Sequence, residues 1–344
     1  MIDVRQSIPV REGVTRAVFE EEIAPAGEPV VMRGLVKDWP IVALAAKGQV
    51  ALGAYLRSLD TGQPVSVMHG KPGQGGYYFY GAGMDGFNFD RAKGSLSQIL
   101  DALLAPPASA ASRHIYAGPV LSDEATGRFA AANPMPILPA AAKARLWLSN
   151  ASRVAAHYDV ARNVACVVSG TRRVIVFPPD QVRNLYVGPF EHTMAGPQVS
   201  MVDFHAPDHA RFPKFAEAEA VAMVADLQPG DAIYLPTLWW HHIESFGAFN
   251  LLVNHWWKPD HAGADFEGLL ASIVGLRDQP RPEREAWRAF FEHFVFDEDA
   301  AQAGAHLPER WQTVTGKPTP EREQMLLRFV VGQLSDRLGK AGRA

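Results

Sequence analysis

Short runs of hydrophobic residues, rich in valine, isoleucine and aromatic side chains, recur through the middle of the chain and predict β-strands. Two such runs, residues 164–168 and 173–177, flank Ser169-Gly170, which predicts a hairpin. Further runs lie at residues 65–68, 77–80, 114–118, 233–235 and 248–257. The chain is therefore predicted to be mainly β from about residue 64 to residue 257.

Other segments place hydrophobic residues three and four positions apart, which is the spacing of a helix face. Residues 49–59 and 96–104 predict helices, and residues 129–139, rich in alanine and proline, predict a loop or lid. Beyond Pro259 the pattern is helical. One apolar stripe contains Trp287, Phe290, Phe291 and Phe294, and a second contains Leu326, Leu327, Val330, Val331, Leu334 and Leu338. We predict a β domain over residues 1–258 and a helical region over residues 259–344.

The composition excludes several classes of protein. Of the 344 residues, 47% are hydrophobic and 20% are charged, which is ordinary for a globular protein. The formal net charge of -4 disfavours a nucleic acid or an anionic membrane as partner. No apolar run approaches 18 residues, no export signal is recognisable, and the single cysteine, Cys166, cannot form an intramolecular disulfide. We expect a cytoplasmic protein with no membrane partner.

The candidate chemistry lies in three residues. His157 and Asp159 are two positions apart, so on a strand or at its end both side chains project from the same face. His241 follows the apolar run 233–235 and a proline turn, at the mouth of a buried strand. Two imidazoles and one carboxylate are typical of non-haem Fe(II) and leave coordination positions open. A His-x-Asp pair alone arises often by chance, so the flanking strands matter.

Several motifs together resemble the JmjC/cupin-like family of 2-oxoglutarate oxygenases, and within it the asparaginyl hydroxylases. They are His157-Tyr-Asp159, Gly170-Thr-Arg-Arg173, Phe177-Pro-Pro-Asp-Gln181, Val202-Asp-Phe204, Arg211-Phe-Pro213 and Trp239-Trp-His-His-Ile-Glu-Ser245. The resemblance is dense from about residue 146 to residue 257. It implies a double-stranded β-helix, or jelly roll, with flanking helices. It also implies a C-terminal helical region through which two copies of the chain form a homodimer.

The same resemblance implies a function and a ligand set. Fe(II) would be bound by His157, Asp159 and His241, with His242 behind the metal on the opposite strand face. The cosubstrates would be 2-oxoglutarate and O2, and the reaction would hydroxylate a protein side chain or a small molecule while 2-oxoglutarate is converted to succinate.

The remaining site residues are also assigned by resemblance. Arg172 occupies the position of the family's lysine and would bind the distal carboxylate of 2-oxoglutarate, because a guanidinium forms a bidentate pair with a carboxylate. Adjacent strand residues face opposite sides, so only one of Arg172 and Arg173 can point into the barrel. Arg173 is the alternative partner of the carboxylate. Positions that line the cosubstrate are occupied by Asn163, Asn254 and Tyr116. The substrate pocket is expected to contain Trp256, Trp239 and Gln198.

The sequence departs from the asparaginyl hydroxylases at two points. Val154 replaces a threonine that would contact the cosubstrate, and Gln198-Val199 replaces an Arg-Gln pair that holds the peptide. The second departure argues against carrying over asparagine as the substrate.

Two further hypotheses concern a second metal site and a function other than that of an oxygenase. Residues 190–215 contain His192, Asp203, His205, Asp208 and His209, but the stretch is rich in proline, and Asp203 and Phe204 match family positions that carry no metal. We therefore do not predict a second metal site from that stretch.

The alternative to an oxygenase is a dimeric metal-binding cupin without 2-oxoglutarate turnover, either a binding or regulatory module or another metal-dependent cupin enzyme.

Overall fold

A computed structural model describes residues 2–105, 114–139, 141–258 and 264–341. These residues divide into two compact units, Met1–Trp257 and Lys258–Ala344, which we call the β unit and the helical unit. Among the described residues, no helix combines the length and the hydropathy that a transmembrane segment requires.

The β unit is built on a mixed sheet of 13 strands within its described residues, which confirms the prediction of a mainly β protein. The strands are β1 (Gln6–Ser7), β2 (Val10–Glu12), β3 (Val30–Arg33), β4 (Val65–Gly70), β5 (Tyr77–Tyr78), β6 (Phe89–Gly94), β7 (Ile115–Val120), β8 (Ala144–Ser149), β9 (Ser152–His157), β10 (Arg162–Phe177), β11 (Met223–Leu227), β12 (Ala232–Leu235) and β13 (Trp240–Trp257). The helices between them are α1 (Arg16–Val18), α2 (Ala24–Ala26), α3 (Pro40–Ala46), α4 (Gln49–Ser58), α5 (Leu96–Leu104), α6 (Asp123–Ala132) and α7 (Phe215–Val221).

The long strands β10 and β13 form the centre of the sheet and pair antiparallel along almost their whole length. The longest path through the sheet runs β2-β3-β12-β10-β13-β8-β7-β4-β6, so it is open at both ends. On one side β10 also pairs with β11, and β13 also pairs with β9. The two central strands therefore supply most of the backbone on which the candidate site is built.

The predicted hairpin at Ser169-Gly170 is wrong, because β10 passes through these residues without reversing. Residues 162–167 of β10 pair with one end of β13 and residues 171–177 pair with the other, with register shifts between. Gly170 has a φ of 73°, and a Cβ there would lie 1.9 Å from the Asn250 side chain. Glycine thus permits a β-bulge that bends the strand, where the sequence suggested a turn.

The predicted loop at residues 129–139 is also partly wrong. Helix α6 extends to Ala132, and the hydroxyl of Ser122 caps its start by accepting from the Ala125 amide. Phe129 is fully buried, with its ring centroid 5.7 Å from that of Trp39. The alanines after Phe129 continue the helix because alanine has the highest helix propensity.

The helical unit contains α8 (Asp265–Leu276), α9 (Arg281–Phe291) and α10 (Pro320–Ala341), with a π-turn at Glu292–Phe296. Both predicted apolar stripes lie on these elements, although the side chain of Leu338 is outside the described residues. Trp287, Phe290 and Phe294 are 45%, 58% and 46% exposed, and Val331 is 61% exposed. The helical unit therefore does not bury these stripes by itself.

Candidate metal centre

The predicted ligands meet where β9 and β13 pair. His157 is the last residue of β9 and lies directly opposite His241 of β13 in the antiparallel register. Asp159 follows two residues after β9, and its carbonyl accepts a hydrogen bond from the Leu238 amide at 2.9 Å. That bond ties the turn after β9 to the turn before β13. The pairing therefore brings together residues that are more than 80 positions apart in the sequence.

The three side chains converge closely enough to share one ion. One ligand atom from each of His157, Asp159 and His241 lies within 4.8 Å of the others. The Nε2 atom of His241 is 3.7 Å from Oδ2 of Asp159. Each imidazole also contacts a backbone carbonyl two residues upstream through Nδ1, at 2.9 Å from Ala155 and 3.0 Å from Trp239. If Nδ1–H donates in both rings, Nε2 of each is left with a lone pair for a metal.

The electrostatics of His241 suit the same role. Burial, and then the neighbouring His157, lower the pKa of His241 to about 4. The ring is consequently neutral at pH 7, which is the form that binds a metal.

Two asparagines extend from the carboxylate into the sheet. The amide of Asn163 donates to Oδ2 of Asp159 at 3.1 Å, and the amide of Asn254 donates to Oδ1 of Asn163 at 3.1 Å. Oδ1 of Asn254 is buried and has no hydrogen-bond partner among the described residues. The chain of bonds fixes the orientation of the Asp159 carboxylate and leaves one acceptor at its far end.

A cavity of about 120 Å³ adjoins the three residues. Its lining includes the triad itself. It also includes five of the predicted site residues, Tyr116, Asn163, Arg172, Asn254 and Trp256. Val154, which replaces the family's threonine, lines it as well.

Trp239 and Gln198, which are expected in the substrate pocket, are not among the described residues that line this cavity. Trp239 lies in the turn before β13, where its indole NH donates to the Gly27 carbonyl at 2.9 Å. The Gln198 side chain is buried away from the cavity, accepts from the Tyr158 hydroxyl and donates to the Phe190 carbonyl. Its neighbours Pro197 and Val199 line the cavity instead, because alternate residues of an extended segment face opposite sides.

Arg172 lies in the same cavity and is 3% exposed. Burial lowers its pKa to about 10, while Tyr116 nearby opposes that change, so the guanidinium stays charged at pH 7. It donates to Oδ1 of Asn250 at 2.6 Å and to the Thr171 carbonyl at 3.3 Å. Both acceptors are neutral, and no carboxylate of the described residues forms an ion pair with Arg172. A buried cation of this kind calls for an anion in the cavity.

The neighbouring residues with which Arg172 and His241 could be confused lie on the outer faces of their strands. Arg173 forms an ion pair with Asp226, with Nε 2.9 Å from Oδ1. Nε2 of His242 is 3.0 Å from Oε1 of Glu244. Burial raises the pKa of Glu244, but contacts with His242 and His205 outweigh burial and lower it to about 2.

Three polar groups of the cavity were not assigned from the sequence. The Tyr78 hydroxyl and the indole nitrogens of Trp147 and Trp256 are buried and, within the part of the chain that the structure describes, have no hydrogen-bond partner. Tyr78 belongs to a two-residue strand, and no motif marks it. Trp147 had a usable signal, since alternation along β8 places it on the same face as Ser149, another lining residue. Trp256 was predicted to line the pocket, but its indole NH was not predicted as a free hydrogen-bond donor.

Comparisons with known proteins agree with this architecture. A family described as a cupin-like domain matches residues 15–263. The chain is 29% identical over 116 residues to the lysine-specific demethylase JMJ31 of Arabidopsis thaliana, which covers 33% of this chain and 21% of the relative. It is 32% identical over 121 residues to the Jumonji C domain-containing protein 5 of Drosophila melanogaster, covering 35% and 29%. It is 32% identical over 102 residues to the human tRNA wybutosine-synthesizing protein 5, covering 30% and 29%. The matches span less than a third of the length of these relatives.

Proposed function

We propose that this chain, which belongs to the cupin-like domain family, is an Fe(II)- and 2-oxoglutarate-dependent oxygenase. JmjC members of this family are oxygenases of that type, and the jelly-roll fold is shared. The observation that carries the proposal is a buried, uncompensated arginine in the same cavity as a triad of two histidines and an aspartate. A protein that only stored a metal would need no such cation.

The residues present fit both groups. The triad offers two imidazole nitrogens and a carboxylate, a donor set that suits Fe(II) and leaves part of its coordination sphere open. Arg172 would pair with the distal carboxylate of 2-oxoglutarate. The unpartnered Tyr78 hydroxyl and the two indole NH groups supply further donors for the oxygens of a bound acid. The orphaned polar atoms and the buried charge thus have one common explanation.

When bound, iron and 2-oxoglutarate together activate O2, so that 2-oxoglutarate is decarboxylated to succinate and a substrate C–H bond is hydroxylated. The protein's own part is positioning. Asn163 holds the Asp159 carboxylate, and the carbonyls of Ala155 and Trp239 hold the two imidazoles in the metal-binding tautomer. Apolar lining residues, including Met68, Met194 and Ile243, exclude water around the reacting groups.

The substrate is a protein side chain or a small molecule. The resemblance to asparaginyl hydroxylases suggested a peptide, but Gln198 replaces the arginine that holds the peptide there, and its side chain faces away from the cavity. We therefore do not extend the asparaginyl activity to this chain. We also propose that the protein acts in the cytoplasm as a homodimer joined through the helical unit, whose apolar stripes are exposed.

The test is calorimetric titration of 2-oxoglutarate into the chain loaded with Fe(II) under anaerobic conditions. The matched control ligand is 2-oxobutanoate, which keeps the keto acid end and lacks the distal carboxylate. We expect 2-oxoglutarate to bind only when the metal is present, and 2-oxobutanoate to bind roughly 100-fold more weakly, because a buried charge loses its partner. Equal affinity for the two ligands would contradict the role of Arg172.

A metal-binding cupin without 2-oxoglutarate turnover is the alternative. One observation favours its enzymatic form, another metal-dependent cupin enzyme, since Val154 and Arg172 both differ from the residues that the resemblance to asparaginyl hydroxylases implies around the cosubstrate. In that case iron would bind, 2-oxoglutarate would not, and no succinate would form.

A further inference from the structure

A second group of metal-ligating side chains lies on the outer face of β13, opposite the cavity. It consists of His205, His242 and Glu244, with one ligand atom of each within 4.8 Å of the others. Nε2 of His205 is 2.5 Å and Nε2 of His242 is 3.0 Å from the same oxygen, Oε1 of Glu244. His242 and Glu244 are buried, whereas the His205 side chain is 35% exposed. The cluster is thus a buried strand pair closed by one histidine at the protein surface.

The cluster is separate from the candidate iron site. His241, Ile243 and Ser245 line the cavity, so His242 and Glu244 project from the opposite face of the strand. His205 comes from the loop after Phe204, whose ring centroid is 5.1 Å from that of His242. The two histidines of the His-His doublet therefore belong to two different environments.

The surrounding charges allow a cation. Glu244 is flanked on the neighbouring strands by Arg153 and Arg173, and these two positive charges by themselves would repel a cation. Each arginine has its own carboxylate, with Arg153 3.8 Å from Asp203 and Arg173 2.9 Å from Asp226. Each arginine is therefore partly balanced by a carboxylate other than Glu244, while Oε1 of Glu244 contacts the two imidazoles.

We propose that His205, His242 and Glu244 bind a second divalent ion of the zinc class. Two imidazoles and a carboxylate are three ligands of a tetrahedral zinc site, and the exposure of His205 leaves the fourth position to water. Magnesium and calcium are not expected, because they prefer oxygen ligands. The ion joins the loop that carries His205 to β13, the strand that carries His241. The proposal does not depend on 2-oxoglutarate turnover.

The test is calorimetric titration of Zn²⁺ into the chelator-treated 344-residue chain and four variants. Asp159→Ala removes the first site, and His205→Ala removes the second without disturbing the buried core. The double variant removes both. His209→Ala is the matched control, since His209 is an exposed histidine of the same loop that lies near Glu219 and outside the cluster.

We expect two equivalents of zinc in the wild type and in His209→Ala, one in each single-site variant, and none in the double variant. In the Asp159→Ala background, zinc at 100 times its Kd should raise Tm by roughly 5 °C, and His205→Ala should cancel the rise. One equivalent in the wild type, or two in His205→Ala, would overturn the proposal and leave the cluster as a hydrogen-bonded clamp only. Because the Asp159→Ala variant lacks the first site, this result is independent of whether the chain is an oxygenase.

Discussion

The β unit and the helical unit treat the same kind of sequence pattern in opposite ways. In the β unit, runs of large apolar residues become buried, as Trp240, Phe177 and Leu251 show with 0–1% exposure. In the helical unit, equally regular apolar stripes remain exposed, with Phe290 at 58% and Val331 at 61%. A periodic apolar stripe therefore predicts a surface that must be covered, and does not say by what.

The difference separates two roles. The candidate chemistry lies entirely in the β unit, where titratable groups are held in a buried cavity with fixed partners. The exposed apolar surface lies in the helical unit, where it fits association between subunits. If this division holds, a substitution in one unit will alter one property and leave the other unchanged.

The largest effect is expected at the metal ligands. His157→Ala, Asp159→Ala or His241→Ala should abolish iron-dependent binding of 2-oxoglutarate, a loss of roughly 1000-fold or more, because each removes one of three ligands. His242→Ala should retain that binding, since its side chain faces away from the cavity. Titration of 2-oxoglutarate into the four iron-loaded variants measures this. An equal loss in His242→Ala would mean that the wrong histidine has been assigned.

Arg172 comes next. Arg172→Ala should leave iron content normal and weaken 2-oxoglutarate binding by roughly 100-fold, because the buried anion loses its partner. Arg172→Lys should keep part of the affinity, since lysine retains the charge without the fork geometry. Arg173→Ala is the control, because Arg173 pairs with Asp226 outside the cavity. Unchanged affinity for 2-oxoglutarate in both alanine variants would mean that neither arginine binds its distal carboxylate, and would contradict 2-oxoglutarate as the cosubstrate.

In the helical unit, we expect a dimer at micromolar concentration by light scattering. The double variant Phe290→Asp, Val331→Asp places charges on both stripes and should raise the dimer dissociation constant at least about 10-fold, because a charge buried in an apolar interface is costly. Val274→Asp, at an 86% exposed valine of α8 outside the stripes, is the control.

Iron-dependent 2-oxoglutarate binding should not change in either of these variants. A wild-type chain that is monomeric at micromolar concentration would contradict the assignment of the stripes.

The smallest effect is expected at Val154, which lines the cavity at a position where the resemblance to asparaginyl hydroxylases implies a threonine. Val154→Thr should tighten 2-oxoglutarate binding by roughly 2- to 10-fold, the range of one added neutral hydrogen bond. Val154→Ala, which adds no donor, should not tighten it. Weaker binding in the threonine variant would indicate that the hydroxyl is buried without a partner.

The sequence predicted the mainly β class, and it placed candidate ligands that the structure brings together. His157 and Asp159 could be paired because their spacing places both side chains on one strand face, whereas the choice of His241 over His242 came from the resemblance. The wrong hairpin shows the limit of that reasoning. Ser169-Gly170 has the composition of a turn, and only the pairing of both halves of β10 with β13 reveals a bulge.

The rest of the site depended on contacts between distant segments. Tyr78, Trp147 and Met194 come from separate elements and carry no motif, so only the sheet topology could place them in one cavity. Trp239 and Gln198 do not line this cavity, because resemblance gave only their position in the sequence, whereas the direction of a side chain depends on the local backbone. The cluster of His205, His242 and Glu244 was also not predicted, because His205 was considered only together with the other histidines and aspartates of its own loop.

The most direct test of the central claim is formation of succinate from 2-oxoglutarate in air, with Fe(II) and the purified chain. Even without the substrate, oxygenases of this kind are expected to decarboxylate the cosubstrate slowly, so the assay does not require the substrate to be known. We expect iron-dependent succinate from the wild type and from Arg173→Ala, and none above background from Asp159→Ala or Arg172→Ala. Tight binding of iron and 2-oxoglutarate with no succinate from the wild type would contradict it.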